Sequence, residues 1–204
     1  QMVVIRTDEV LRQKSEIVLK NRDILDNLQY AKRIQEAILP EIKLIYRTLQ
    51  DSFIIYIPKD IVSGDFYSFA QKNDRVIIAA SDCTGHGVTG AFMSMIGTSL
   101  LNQIINENGV TQPAEILTDL NTGIVEALKQ SEGENEVHDG MDIALCSIDL
   151  ANPRLVYAGA NRPLWFFKNG EMSLVKPTKS AIGGYQSSRT EEFTQHEIQL
   201  SKGD

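Results

Sequence analysis

The first forty residues combine a seven-residue apolar repeat with the absence of any helix breaker. Residues 8–39 contain neither Gly nor Pro, and the repeat weakens only at Ala31. Such a repeat gives a helix an apolar seam, which two helices bury by supercoiling. The pattern predicts an N-terminal coiled-coil helix ended by Pro40, which lacks a backbone donor. A long helix packed on its own domain is the alternative. The apolar pairs are at 10–11, 17–18, 24–25 and 38–39.

From about residue 50 the apolar runs become shorter and are separated by turn residues. The run 75–80 is continuously apolar, which is typical of a strand covered on both faces. Asn169-Gly170 indicates a two-residue hairpin turn, and residues 131–140 a polar loop. The order of elements lacks βαβ alternation and predicts an α+β fold, a layered α-β-β-α sandwich of antiparallel sheets flanked by helices. The predicted elements are strands 53–57, 65–70 and 75–80, helices 88–106 and 113–129, and strands 143–150, 154–159, 164–168, 171–176 and 193–200.

Composition restricts the classes of function. The net charge is −7 and the sequence pI about 5.0, whereas a nucleic-acid partner requires a basic surface. Two cysteines without CxxC spacing favour buried thiols and a reducing compartment. We see no apolar stretch near the ~18 residues of a membrane span and no signal peptide, because charges interrupt residues 6–9. The chain is predicted to be cytoplasmic.

Two acidic residues stand at predicted strand ends, each in a short motif that contains glycine. Asp65 in Ser63-Gly64-Asp65 begins one predicted strand, and Asp82 in Ser81-Asp82-Cys83-Thr84-Gly85-His86-Gly87 ends the next. An antiparallel hairpin brings both carboxylates to one edge, where they repel unless a cation neutralises them. Oxygen ligands suit Mg²⁺ or Mn²⁺, which can activate a water. We therefore predict that Asp82 and Asp65 hold divalent metal in an active site.

Each of these residues also has a simpler interpretation. Asp82 could cap a helix, although Thr84 is better placed for that. Asp65 could be a solvated residue at a sheet edge. His86 is a candidate catalytic group, but a lone histidine in a turn is more often a hydrogen-bonding group than a general acid.

Several segments resemble one known family. In order and spacing they look like the bacterial SpoIIE-type branch of the metal-dependent protein phosphatases (PPM, type 2C). The resemblance covers about residues 30 to 204. The segments that carry it are residues 30–40, 62–67, 80–94, 139–146 and 157–164.

The resemblance implies a protein serine/threonine phosphatase that uses two Mn²⁺ or Mg²⁺ ions. Asp82 matches the carboxylate that bridges both metals, and the carbonyl of Cys83 matches an adjacent ligand. Asp65 matches an acidic residue near the metals, and Asp139 lies near a third metal found in some members. The implied reaction is in-line attack of an activated water on phosphorus. The implied substrate is a phosphorylated signalling protein of the anti-sigma-factor-antagonist type.

The resemblance also divides the chain. We expect residues 1–40 to be a coiled-coil linker that forms a homodimer and transmits a signal from an upstream sensor domain. Residues 41–204 are expected to form a PPM-type domain that lacks its C-terminal segment, because the family continues beyond Asp204 into a Ser/Thr-Asp-Gly motif and a last Asp.

Two alternatives remain open. One is a non-catalytic dimerising signalling module with an incomplete metal site, which absent ligands would favour. The other is a nucleotidyl cyclase, a class that also follows coiled-coil linkers and uses paired Asp. Gly64-Asp65-Phe66 superficially fits that class, but the motif from Asp82 to Gly87 does not.

Overall fold

A computed structural model describes residues 2–130, 138–168, 170–184 and 192–204 of the chain. Most of the predicted loop and Asn169 of the predicted turn lie outside these residues. The elements are α1 (Met2–Ile38), α2 (Ile42–Thr48), β1 (Phe66–Lys72), β2 (Arg75–Cys83), α3 (Val88–Asn102), a π-helical turn (Gln103–Glu107), α4 (Pro113–Ala127), β3 (Gly140–Asp149), β4 (Arg154–Ala160), β5 (Leu164–Lys168), β6 (Glu171–Val175), β7 (Ile182–Gly183) and β8 (Gln195–Gln199).

Within the described residues, one antiparallel sheet has the order β1-β2-β3-β4-β8, with β7 added beside β3. β5 and β6 form a separate antiparallel hairpin. The predicted α+β class, the antiparallel sheets and the long N-terminal helix are therefore confirmed.

The two faces of the sheet are covered differently. On one face, α3 and α4 bury the larger apolar cluster, which includes Leu101, Leu120 and Leu145. On the other face, a smaller cluster of Ile45, Phe69 and Val76 lies under α2. Alternating side chains of β2 reach both clusters, which explains its continuously apolar sequence.

One local prediction was wrong, and two short elements were missed. Residues 53–57 form no strand, since their backbone pairs with no described strand. Ile54 instead packs on the smaller cluster through its side chain. The short elements α2 and β7 were missed, since seven and two residues carry too little periodicity to be detected.

One apolar stretch is longer than the sequence pattern suggested. Val88–Glu107 has the length and composition of a membrane-crossing helix, contrary to the expectation that no apolar stretch comes near such a length. Its residues Leu101, Ile104 and Ile105 are buried against the sheet and α4, so packing in the core accounts for its hydropathy.

Candidate functional site

Asp65 and Asp82 meet at one end of the sheet, as predicted. Phe66 pairs with Ser81 across β1 and β2, which places the preceding Asp65 beside Asp82. Burial raises the pKa of the Asp65 carboxyl first, and the nearby charge of Asp82 raises it further. The two carboxylates therefore form an electrostatically unfavourable pair, which a bound cation would relieve.

A third carboxylate belongs to this cluster and was missed from the sequence. Asp142 in β3 pairs directly with Asp82 in β2. Because Met141 and Ile143 beside it are fully buried on the helix-covered face, Asp142 projects on the same face as Asp82. In the sequence, an acidic residue between two apolar residues at the start of a predicted strand could have indicated this carboxylate.

The turn after β4 adds a cation and an amide. The Arg162 guanidinium forms an ion pair with Asp82, and its Nε lies 3.7 Å from Asp142 Oδ2. Asn161 Nδ2 donates to Asp142 Oδ1 at 2.8 Å. Both residues lie in the segment 157–164 that carries the family resemblance, but neither was predicted to have a role.

Close glycine packing joins the two loops that carry Asp65 and Asp82. A Cβ built on Gly64 would lie 3.0 Å from the carbonyl oxygen of Gly85 and 3.4 Å from that of Cys83. A Cβ on Gly90 would lie 2.8 Å from Gly64 Cα. Only residues without a side chain permit this approach, which brings the Cys83 carbonyl next to the Asp65 loop.

The Cys83 side chain has a different environment from its carbonyl. The thiol is buried, and this burial, together with the charges of Asp82 and Asp65, raises its pKa to about 12. The thiol is therefore protonated at neutral pH, which leaves the carbonyl as the group of Cys83 suited to a metal.

Asp139 lies next to the Asp82 turn through Thr84. Thr84 Oγ1 donates to Asp139 Oδ1 at 2.8 Å and accepts from the Gly140 amide at 2.9 Å. Its own amide donates to the Gly140 carbonyl at 2.9 Å. Thr84 thus ties the two segments together instead of capping a helix, and α3 begins after Gly87 with no side-chain cap.

His86 lies at the rim of the site. Its side chain is 78% exposed, and Nδ1 lies 3.3 Å from Asp60 Oδ2. Asp60 was not singled out from the sequence. The structure therefore shows His86 in contact with Asp60, and its catalytic role stays a prediction.

An open groove of about 820 Å³ runs along the sheet face that carries the carboxylates. Asp65, Asp82 and Arg162 line it together with apolar and aromatic side chains of residues 53–57 and Trp165. The site is therefore open to a partner as large as a polypeptide segment.

The carboxylates fit part of a metal site. Asp65, Asp82 and the Cys83 carbonyl are hard oxygen donors of the kind that Mn²⁺ and Mg²⁺ prefer. Among the described residues, no group of three or more His, Cys, Asp or Glu is arranged to hold one ion. The carboxylate pair is thus suited to a cation that takes further ligands from elsewhere or from water.

Comparison with known proteins identifies the family. The profile of Stage II sporulation protein E (SpoIIE) matches residues 72–204, well over half of the chain. The chain belongs to the SpoIIE family. It is thus a member of the SpoIIE-type branch of the PPM protein serine/threonine phosphatases, as its motifs indicated.

Individual relatives agree with this SpoIIE assignment. The SiaA-PP2C domain of Pseudomonas aeruginosa is 31% identical, with a TM-score of 0.77 over 89% of this chain and 69% of that one. Phosphoserine phosphatase RsbU of Bacillus subtilis (strain 168) is 25% identical over 189 residues, which are 90% of this chain.

The PP2C phosphatase domain of SpoIIE from Bacillus subtilis, solved with a fragment of its regulatory domain, shares the fold. Its TM-score is 0.54 at 22% identity, over 69% of this chain and 38% of that one. The present chain spans 52% of the length of RsbU.

Proposed function

We propose that this SpoIIE-family chain is the catalytic region of a metal-dependent phosphatase that removes phosphate from serine or threonine of a signalling protein. The observation that carries the proposal is the meeting of Asp65 and Asp82 at the sheet end, where the pKa of Asp65 is raised. The name of RsbU, a phosphoserine phosphatase, supports the reaction class.

Asp65, Asp82 and the Cys83 carbonyl would hold the metal, with Asp139 close by through Thr84. A bound pair of Mn²⁺ or Mg²⁺ ions would supply an activated water and neutralise phosphate charge. The carboxylates would hold the metal ions in place, and the open groove would admit the phosphorylated segment. Its apolar lining of residues 54–57 and Trp165 would contact the protein part of the substrate.

The substrate class that we propose is a small phosphorylated signalling protein of the anti-sigma-factor-antagonist type. This choice follows the family resemblance and the relationship to RsbU. Faster turnover of an intact phosphorylated antagonist than of a phosphoserine peptide with the same local sequence would support recognition of a folded protein. Equal rates would contradict it.

The first prediction tests the metal. The full-length parent protein is expected to dephosphorylate a phosphoserine protein only with Mn²⁺ or Mg²⁺, and Asp82→Asn should lower kcat at least about a hundredfold. Steady-state phosphate release measures this. Asp74→Asn, at the opposite end of the same hairpin, removes an exposed charge and should leave the rate unchanged. Metal-independent hydrolysis would contradict the proposal.

We further propose that α1 regulates the site. Gln35, near the end of α1, is only 4% exposed. Its Nε2 donates to the Ser63 carbonyl at 2.6 Å and to Ser94 Oγ at 2.8 Å, and its Oε1 accepts from the Ser63 amide at 3.0 Å. Ser63 Oγ in turn accepts from the Asp65 amide at 3.0 Å. A shift of α1 would therefore move the loop that carries Asp65.

The second prediction concerns this connection. Gln35→Leu leaves the buried Ser63 amide without its acceptor, at a cost of about 1–3 kcal/mol, and weakens the hold on the Asp65 loop. We expect weaker Mn²⁺ binding by calorimetry at a temperature where the variant is folded. Gln29→Leu, on the exposed surface of the same helix, is the matched control. A loss of stability with unchanged Mn²⁺ affinity would show that Gln35 only holds the fold together.

A non-catalytic signalling module is the second candidate function. It is favoured by the absence, among the described residues, of three metal-binding side chains around one ion. It also agrees with the ion pair between Arg162 and Asp82. Binding of an intact phosphoprotein without metal-dependent release of phosphate would support this function over catalysis.

A further inference from the structure

Arg162 places a fixed positive charge within the carboxylate cluster. Its guanidinium pairs with Asp82 and lies 3.7 Å from an oxygen of Asp142. The side chains of Arg162 and Asp82 are 46% and 50% exposed, so neither is locked into the core. The guanidinium therefore contacts the carboxylate most central to the proposed metal site. Because both side chains are half exposed, the arginine side chain can move away without disturbing the core.

The backbone beneath Arg162 is held much more firmly than its side chain. Asn161 adopts a left-handed φ of 57°, and its amide donates to the Thr178 carbonyl at 2.9 Å. The Tyr157 hydroxyl donates to the Arg162 carbonyl at 2.5 Å. A Cβ on Gly159 would lie 2.4 Å from that same carbonyl, so this turn requires glycine. The fold thus presents the long arginine side chain from a fixed point.

A guanidinium and a divalent cation compete for the same carboxylate oxygens. Without metal, Arg162 offsets the repulsion among Asp65, Asp82 and Asp142. With metal, the charge of the ion replaces that of the arginine, and Asp82 cannot fully satisfy both. The groove beside Trp165, which Arg162 also lines, has space for the displaced side chain.

We propose that Arg162 is an exchangeable counter-ion of the carboxylate cluster, which a divalent cation displaces from Asp82 when it binds. The inference rests on the proposed function for the identity of the cation. It adds that the affinity of the site for metal is set partly by an internal competitor, so this chain binds metal more weakly than its carboxylates alone would.

The test is a calorimetric Mn²⁺ titration of the purified chain and its Arg162→Met variant. Methionine keeps much of the side-chain length and removes the charge. We expect Mn²⁺ affinity to rise by up to about fivefold, the upper end of the range for a partly exposed ion pair. Arg162→Lys, which keeps the charge but loses the planar fork, should give a smaller rise.

Arg154→Met is the matched control. Arg154 lies on β4 and pairs with Glu197 at 2.6 Å, on the part of the sheet beside β8. Its loss should leave Mn²⁺ affinity unchanged. Quenching of Trp165 fluorescence by Mn²⁺ gives a second measurement, because Trp165 is the sole tryptophan of the chain and lines the same groove.

The outcomes separate this inference from the proposed function. Equal or weaker Mn²⁺ binding by Arg162→Met, in a folded variant, overturns the inference while the metal site stands. Binding to the wild type that Asp82→Asn abolishes confirms the location of the site. Binding to neither wild type nor Arg162→Met contradicts both proposals. Binding to Arg162→Met alone supports the competition most strongly.

Discussion

The placement of Asp65 beside Asp82 suits a metal ligand but lowers the stability of the metal-free fold. The pKa of Asp65 is raised above the ordinary value of 3.8 by burial and by the neighbouring Asp82. The folded chain therefore holds this proton more tightly than the unfolded chain does. It follows that the metal-free protein loses stability as the pH rises through the raised pKa of Asp65.

The third prediction uses this pH dependence. Metal-free Asp65→Asn should melt at a higher temperature than wild type at pH 7, with the difference shrinking toward pH 3, where both carry no charge at this position. The same variant should lose about tenfold or more in Mn²⁺ affinity. Thermal melts in chelator measure the first effect and calorimetry the second. Asp60→Asn, at the rim of the site, is the control. A lower melting temperature at pH 7 would contradict this account.

Several individual residues could be identified from sequence and others could not. Asp65 and Asp82 were predicted because each lies at a predicted strand end in a short motif that contains glycine. Asp142 was missed because sheet register brings it to the cluster, and Arg162 because the turn after β4 does. Both contacts are with Asp82, which is 60 or more residues away in the chain. His86 was singled out by its motif, but its contact with Asp60 depends on how two loops meet.

Among the secondary-structure elements, α3 has the most direct effect on the site. Its residue Gly90 packs against Gly64 so closely that a methyl group would lie 2.8 Å from both Gly64 Cα and the Gly85 carbonyl oxygen. Both neighbours are backbone atoms, which cannot rotate away. The start of α3 therefore fixes the distance between the two loops that carry Asp65 and Asp82.

The fourth prediction is that Gly90→Ala separates these loops. Overpacking should cost about 1–3 kcal/mol of unfolding free energy, and Mn²⁺ affinity should fall with it. Gly97→Ala is the control on the same helix, because its Cβ would meet side-chain atoms of Met141 and Phe66 on the helix-covered face, opposite to the face that carries Asp82 and Asp142. That control should lose stability and keep its Mn²⁺ affinity. Equal affinities in the two variants would contradict the role assigned to Gly90.

The long helix α1 is the element through which we propose that two molecules associate. Its apolar seam is exposed, with Ile17 and Ile24 at 57% and 55% exposure. In a monomer this seam would face water over several turns. A second copy of the helix is the partner that a seven-residue repeat predicts.

The fifth prediction is that Ile17→Asn combined with Ile24→Asn weakens a homodimer. Each buried isoleucine contributes about 1.5–3 kcal/mol, so the dimer dissociation constant should rise well over tenfold. Sedimentation equilibrium measures the change. Glu16→Asn with Asp23→Asn places the same substitutions one position earlier and should leave the mass unchanged. A wild-type chain that sediments as a monomer would contradict the coiled coil.

The sequence by itself determined the α+β class, most elements of the sheet, the long first helix and the two acidic strand ends. These features depend on local periodicity and on short motifs, which a single sequence displays directly. Only the tertiary structure decided which side chains complete the cluster around Asp82. Sheet register placed Asp142 opposite it, and a tight turn after β4 supplied Arg162. Burial of Gln35 against Ser63 likewise depends on where α1 meets the domain, because that contact spans 28 residues of chain.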